Sequence, residues 1–331
     1  MLNNIRPTNT QLRLGVFLLS VLFLSACSHT PQTKALPSSS FADAAKELES
    51  VPFYPQTQYQ CGPAALATVM QYRGVDVMPE DLVDKIYIPE KQGSLQIEMV
   101  AATREKGLMP YIIEPQLTAI LAQIKAGHPV LVMQNLAYKW MPYWHYAVVA
   151  GFDVAKNELI LRSGETKRWQ TSFANFERTW ARSEYWGLVI VPPDTLPAEA
   201  SLTRWMQAAY DLQQTGQTES AEIAYQTAIN AWPEAPEPGV ALANLYFEQQ
   251  DFTAADAVYA DLLAQNPEIA VLWNNRAYSL QARGCDVSAQ QAAQCALQRA
   301  PEDTNIQSTV DEMQQNSATN AVNCPVINCP E

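Results

Sequence analysis

Gln60-Cys61-Gly62-Pro63-Ala64-Ala65-Leu66-Ala67-Thr68-Val69-Met70 decides how this chain is read. A cysteine stands directly before Gly-Pro, and an apolar run follows. Proline fits the first turn of a helix, where its missing N–H removes no hydrogen bond. Cys61 therefore falls at or just before a helix N-terminus. Unpaired N–H groups there favour negative charge, so a lowered thiol pKa is expected. A cysteine that only packs more often sits inside a helix, on its apolar face. The placement marks Cys61 as a candidate nucleophile.

Working outward, residues 48–192 mix helical and strand patterns. Helices are expected over about 61–73, 94–106 and 117–125, with Ser94 as the N-cap of the second and Gly127 closing the third. Strands are expected over 129–134, 145–152, 158–162 and 186–191. Helices first and antiparallel strands after them describe an α+β domain of papain-like arrangement, with the nucleophile on a helix end and its base on the facing sheet. A thiol nucleophile needs a base within reach, and the chain has 3 histidines. His29 lies near the N-terminus and His128 in a helix-to-strand turn. His145 opens the apolar strand His145-Tyr146-Ala147-Val148-Val149-Ala150-Gly151-Phe152 and is the candidate base. Trp140-Met141-Pro142-Tyr143-Trp144, just before it, forms an aromatic loop that either walls a substrate cleft or plugs against the C-terminal half.

Gln56, then Cys61-Gly62-Pro63-Ala64-Ala65-Leu66-Ala67, then the His145 strand resemble the bacteriocin-processing peptidases. These are papain-like cysteine peptidases that cut leader peptides after a double glycine. The resemblance spans roughly residues 48–192. It implies Cys61 as nucleophile, His145 as base, and Gln56 with the backbone N–H of Cys61 as oxyanion donors. It implies no cofactor and no metal. Gln56 stands one residue nearer the cysteine than the family's glutamine, which leaves Gln58 and Gln60 as alternative donors. Where the family carries Asp-Pro on the next strand, this chain has Leu161-Arg162-Ser163-Gly164. The imidazole-orienting role then falls to Ser163 or Asp153. The implied activity is hydrolysis of peptide bonds in a peptide or protein substrate. The alternative is a catalytically inactive peptide-binding or scaffold lipoprotein.

At the N-terminus, Arg6 and Arg13 accompany the apolar run 14–24, which is too short to span a bilayer comfortably. It ends in Leu24-Ser25-Ala26-Cys27, which resembles a bacterial lipobox. That resemblance implies a lipoprotein signal peptide over 1–26, lipid on Cys27, and attachment to a membrane through that lipid. Ser28 after the cysteine implies the outer membrane of a Gram-negative envelope, with the protein facing the periplasm. Residues 27–47, polar and rich in Pro and Ser, read as a tether. The net charge of -13 argues against a nucleic-acid partner, which needs a basic face.

The proline-rich stretch Pro192-Pro193-Asp194-Thr195-Leu196-Pro197 begins a linker over 193–200. Beyond it the chain is alanine-rich and periodic. Pro233, Pro267 and Pro301 recur every 34 residues, as do Ala209, Ala243 and Ala277, and Ala221, Ala255 and Ala289. Tyr225 and Tyr259 keep the same step. The pattern resembles three tetratricopeptide repeats over 201–304, an all-α domain. Such arrays imply a protein partner in a concave groove; a structural cap is the other reading. Of the 6 cysteines, Cys285, Cys295, Cys324 and Cys329 cluster toward the end, the last two in a tail over 305–331. In an oxidising compartment they form disulfides. Closeness in sequence favours Cys285–Cys295 and Cys324–Cys329, and all three pairings remain open. With no histidine beyond His145, a zinc site there is disfavoured.

Overall fold

The computed structural model describes residues 30–36, 39–42, 44–55, 60–91, 93–315, 321 and 323–330. The expected signal peptide 1–26, the lipidation residue Cys27, and Gln56 and Gln58 lie outside the described residues. The elements run α1 (Pro31–Ala35), β1 (Ala45–Glu47), α2 (Cys61–Tyr72), α3 (Pro79–Ile86), β2 (Tyr87–Ile88), β3 (Gly93–Ser94), α4 (Gln96–Arg104), β4 (Met109–Ile112), α5 (Leu117–Lys125), β5 (Val130–Asn135), β6 (Trp144–Asp153), β7 (Glu158–Ser163), β8 (Thr166–Ser172), α6 (Phe173–Trp180) and β9 (Gly187–Val191). A helical region follows: α7 (Leu202–Gln214), α8 (Thr218–Ala231), α9 (Glu237–Glu248), α10 (Phe252–Gln265), α11 (Ala270–Ala282), α12 (Asp286–Arg299) and α13 (Thr304–Gln315).

The first part is a mixed α/β domain on a 7-stranded antiparallel sheet of order β4-β9-β5-β6-β7-β8. β1 joins it beside the far end of β6, pairing Ala45–Glu47 with 151–153. The central strands are near-continuous apolar runs because both of their faces are buried. β8, Thr-Lys-Arg-Trp-Gln-Thr-Ser, is exposed and charged, as an edge strand must be to resist pairing with another chain. Gly151 permits the approach of β1: a Cβ there would lie 2.9 Å from the carbonyl oxygen of Lys46. α2 packs on β5, β6 and β7, and every residue from Gly62 to Met70 is buried. A helix buried all round must be apolar all round, which is why the stretch after Cys61 carries no charge.

Among the described residues, several expected to form a tether are instead packed on this domain, starting at Thr30. Glu177, fully buried on α6, accepts from the N–H groups of Gln32 (3.0 Å) and Thr33 (2.7 Å) and from the Thr33 hydroxyl (2.6 Å). Gln32 Nε2 donates to Pro115 O, and Leu117 N donates to Gln32 Oε1. Leu36, Phe41 and Leu48 are buried in the domain core. These apolar residues, scattered among Pro and Ser, supply the burial that a free linker lacks.

In the helical region each helix from α7 to α13 packs on the next. The repeating alanines Ala209, Ala221, Ala243, Ala255, Ala277 and Ala289 are all fully buried, letting the helices approach closely. The hydrophobic core is continuous with that of the sheet domain: Trp205, Leu212, Tyr225, Leu242 and Leu245 belong to the same cluster as Val148 and Leu188. The stretch 193–200 is pinned as well. Gln123 exchanges two hydrogen bonds with Ala198, and Thr227 donates to Pro193 O.

The cysteines pair as Cys285–Cys324 and Cys295–Cys329, with Cα separations of 5.5 and 5.3 Å. The pairing by sequence proximity fails on helix geometry. Cys285 is the N-cap of α12 and Cys295 lies within it, so ten residues of rise set them about 15 Å apart, beyond any disulfide's reach. Both bridges instead tie the C-terminal strap to α12. The expected tail also begins with an ordered helix, α13.

Candidate active site

α2 begins at Cys61, and Pro63 occupies its third position, where an intrahelical N–H partner does not exist. Gly62 lets the helix end press against β3. A Cβ on it would fall 2.3 Å from Ser94 Oγ, a contact no side chain tolerates. Ser94 therefore sits in the wall behind the helix end, not at an N-cap; that position belongs to Leu95. Its two-residue strand is too short to leave a periodic signal in the sequence.

Cys61 is partly buried and is not disulfide-bonded. The backbone N–H groups of Tyr146, Gly62 and Cys61 itself hydrogen bond toward the thiol and favour its ionised form. Burial acts the other way and is stronger, so the thiol pKa is pushed up, not down. The helix N-terminus alone would lower it, but the sequence does not show how deeply the sulfur is desolvated. The bond from Tyr146 sets the peptide that follows His145 against the Cys61 thiol.

His145, second residue of β6, lies opposite Gln134 of β5. Its Nε2 is 2.8 Å from Ser163 Oγ, at the end of β7. Burial lowers the imidazole pKa from 6.5 to about 4. Asp153, the other expected orienting residue, is at the opposite end of β6. Eight residues of strand put it about 26 Å from His145, and its carboxylate holds the N–H and ammonium of Lys156. Gln60 is exposed at the N-cap of α2, and its carbonyl accepts from Ala64 N. The structure thus joins Cys61 to the His145–Tyr146 peptide and His145 to Ser163, and excludes Asp153.

Residues 48–188 match the Peptidase_C39 like family. The matched segment contains Cys61, His145 and Ser163. A Bacillus anthracis structure described as C39-like is 16% identical, covering 45% of this chain and 98% of its own, with a TM-score of 0.39. The peptidase domain of Streptococcus ComA, a bifunctional ABC transporter involved in quorum sensing, is 26% identical over 42% of this chain and 96% of its own, with a TM-score of 0.34. The first TPR domain of human RPAP3 is 17% identical over 34% of this chain and 90% of its own, with a TM-score of 0.32. No curated protein matches the chain.

Two supports of the site leave little trace in the sequence. Arg162, buried beside Ser163, donates to the carbonyls of Val51 (3.2 Å) and Leu48 (3.4 Å) and faces Glu47, holding the segment that leads to Cys61. Asn135, buried at the end of β5, anchors the aromatic hairpin before His145. Its Oδ1 accepts from Ala137 N and Tyr143 N, and its Nδ2 donates to Tyr138 O. That hairpin is exposed and does not plug against the helical region. His128 is structural: its Nδ1 meets Arg73 Nη2 at 2.7 Å, and since Arg73 can only donate, that nitrogen is the acceptor. Among the described residues no three His, Cys, Asp or Glu side chains converge as a metal site would require.

Proposed function

We propose that this chain is a cysteine peptidase of the cell envelope, anchored by lipid on Cys27 to an outer membrane, with repeats over 201–304 that hold a protein partner. The observation that carries the reading is the Tyr146 N–H at the Cys61 thiol, which sets the His145 strand against the start of α2. With the thiol pKa raised and the imidazole near 4, both groups rest neutral at pH 7. Nε2–H donates to Ser163, leaving Nδ1 with its lone pair. As sulfur attacks the peptide carbonyl, Nδ1 takes the thiol proton. The imidazolium returns that proton to the leaving amine as the C–N bond breaks. Water, deprotonated by the same nitrogen, then hydrolyses the thioester. The Cys61 N–H, with a glutamine of the Gln56, Gln58, Gln60 segment, receives the oxyanion.

A peptide pool incubated with the processed protein tests this. Turnover is expected to vanish in Cys61→Ser and His145→Ala while each variant still melts in a cooperative circular dichroism transition, which shows that it remains folded. Turnover that survives either substitution sinks the mechanism. A peptide-binding lipoprotein without turnover is the second reading, favoured by Ser163 standing where the family carries Asp. It predicts peptide capture with no product in wild type and Cys61→Ser alike.

A further inference from the structure

The hairpin between β5 and β6 presents Tyr138, Trp140, Met141, Tyr143 and Trp144 to solvent, each about half exposed or more. Trp140 is 79% exposed, the most exposed aromatic side chain among the described residues. A wall lining a cleft turns its rings inward; this tip turns them out. Nor is it slack. Leu136 N donates to Tyr143 O, Met141 N to Tyr138 O, and Tyr138 stacks on Trp140 at 5.9 Å. With the three bonds to Asn135, the tip is a stiff wedge of aromatic rings carrying one ammonium, Lys139. Tryptophan, tyrosine and a snorkelling lysine are the side chains that settle at a bilayer's headgroup level.

The start of the body and the base of this hairpin share one support. α6 and the turn after it hold both. Glu177 clamps Gln32 and Thr33, while Thr179 accepts from Gln134 and Arg182 donates to Asn135 O. Glu177 and Arg182 are separated by about 8 Å of helical rise. Cys27 is three residues before Thr30, at most about 11 Å of chain. A lipid on Cys27 therefore keeps the bilayer surface within reach of the hairpin.

We propose that the Tyr138–Trp144 hairpin inserts into the membrane interface and seats the site around Cys61 and His145 at the bilayer surface. The proposal rests on the lipid anchor inferred for Cys27.

The test uses processed full-length protein reconstituted into phosphatidylethanolamine–phosphatidylglycerol vesicles whose acyl chains are brominated. Bromines quench tryptophans at the interface. Quenching of Trp140 is expected, so Trp140→Phe loses that component completely while Trp169→Phe, an exposed tryptophan on β8, keeps it. Equal quenching in wild type and Trp140→Phe overturns the proposal. So does an unquenched Trp140 whose replacement by serine raises KM for peptide, because the hairpin is then a substrate wall. Mass spectrometry of the same preparation reads Cys27 separately. Lipid present with Trp140 unquenched sinks the hairpin alone. Lipid absent with Trp140 quenched sinks the anchor and leaves the hairpin standing.

Discussion

At the scale of single residues, the site depends on how strongly two neutral groups resist ionisation. Burial pushes the Cys61 thiol up, and the imidazole of His145 down to about 4. Alkylation of Cys61 by iodoacetamide is therefore expected to rise with a midpoint above the ordinary thiol value of about 8.5. His145→Ala should barely move that midpoint, because a neutral imidazole lends no charge to the thiolate. A midpoint below neutrality, lost in His145→Ala, would instead reveal a resting ion pair. Ser163 sets the other end of the imidazole. Removing its hydroxyl in Ser163→Ala forfeits one hydrogen bond of about 1 kcal/mol, which predicts a turnover loss of roughly fivefold. Ser163→Asp restores a carboxylate and should raise the His145 pKa by about one to three units, read by NMR titration. The residue types at this site were legible in the sequence: Cys before Gly-Pro, and His opening an apolar strand. The direction of the thiol shift was not, because the sulfur's burial arises where α2 packs on β5, β6 and β7, elements far from Cys61 in sequence.

At the scale of elements, the N-terminus of α2 is fixed by a glycine with no room for a side chain. Gly62→Ala drives a methyl into Ser94 and should cost about 1–3 kcal/mol as the helix end shifts. Turnover should fall with it. Adding Ser94→Gly removes the obstructing Oγ and Cβ, so the double variant is expected to recover both melting temperature and activity. If it does not, steric contact is not what constrains Gly62. The expected helices and strands that carry Cys61 and His145 lie within a residue or two of the observed ones, since long apolar runs with clear breakers are read most easily. β2 and β3 have two residues each, and β8 alternates weakly at an edge, so no periodicity announced them. The disulfide pairing, left open by the sequence, was not legible for a related reason: closeness in sequence is not closeness on a helix. Each bridge closes a long loop, of 39 or 34 residues, and should contribute about 2–4 kcal/mol. Non-reducing peptide mapping should recover Cys285 with Cys324 and Cys295 with Cys329. Reduction should lower hydrogen-exchange protection in α12 and α13 before it reaches the sheet.

At the scale of the whole molecule, two histidines join distant parts while remaining uncharged. His128 accepts from Arg73 at the end of α2, and its ring meets the backbone of Leu196 in the segment that leads to the helices. Arg73 also donates to Ile190 O of β9, so one guanidinium ties the central helix to the sheet and to His128. Burial first, and the Arg73 charge second, lower the His128 pKa from 6.5 to about 4. His145 is lowered to the same value by burial alone. In the unfolded chain both protonate near 6.5, so between pH 6.5 and 4 the unfolded state binds more protons than the folded one. Linkage then requires stability to fall as pH drops through that window, and to lose nothing more from these two groups below it. The melting temperature is expected to be level between about pH 7 and 8, below the ordinary thiol pKa of about 8.5, and to decline between 6.5 and 4. His128→Asn keeps an acceptor for Arg73 but has no proton to gain, so it should remove one of the two contributions and flatten the decline. An unchanged slope in that variant would mean that the acid sensitivity arises elsewhere, with His128 already charged in the folded protein. Because the core runs without a break from the sheet into α7, α8 and α9, the decline should appear as one transition spanning both parts and not as early loss of the sheet domain alone.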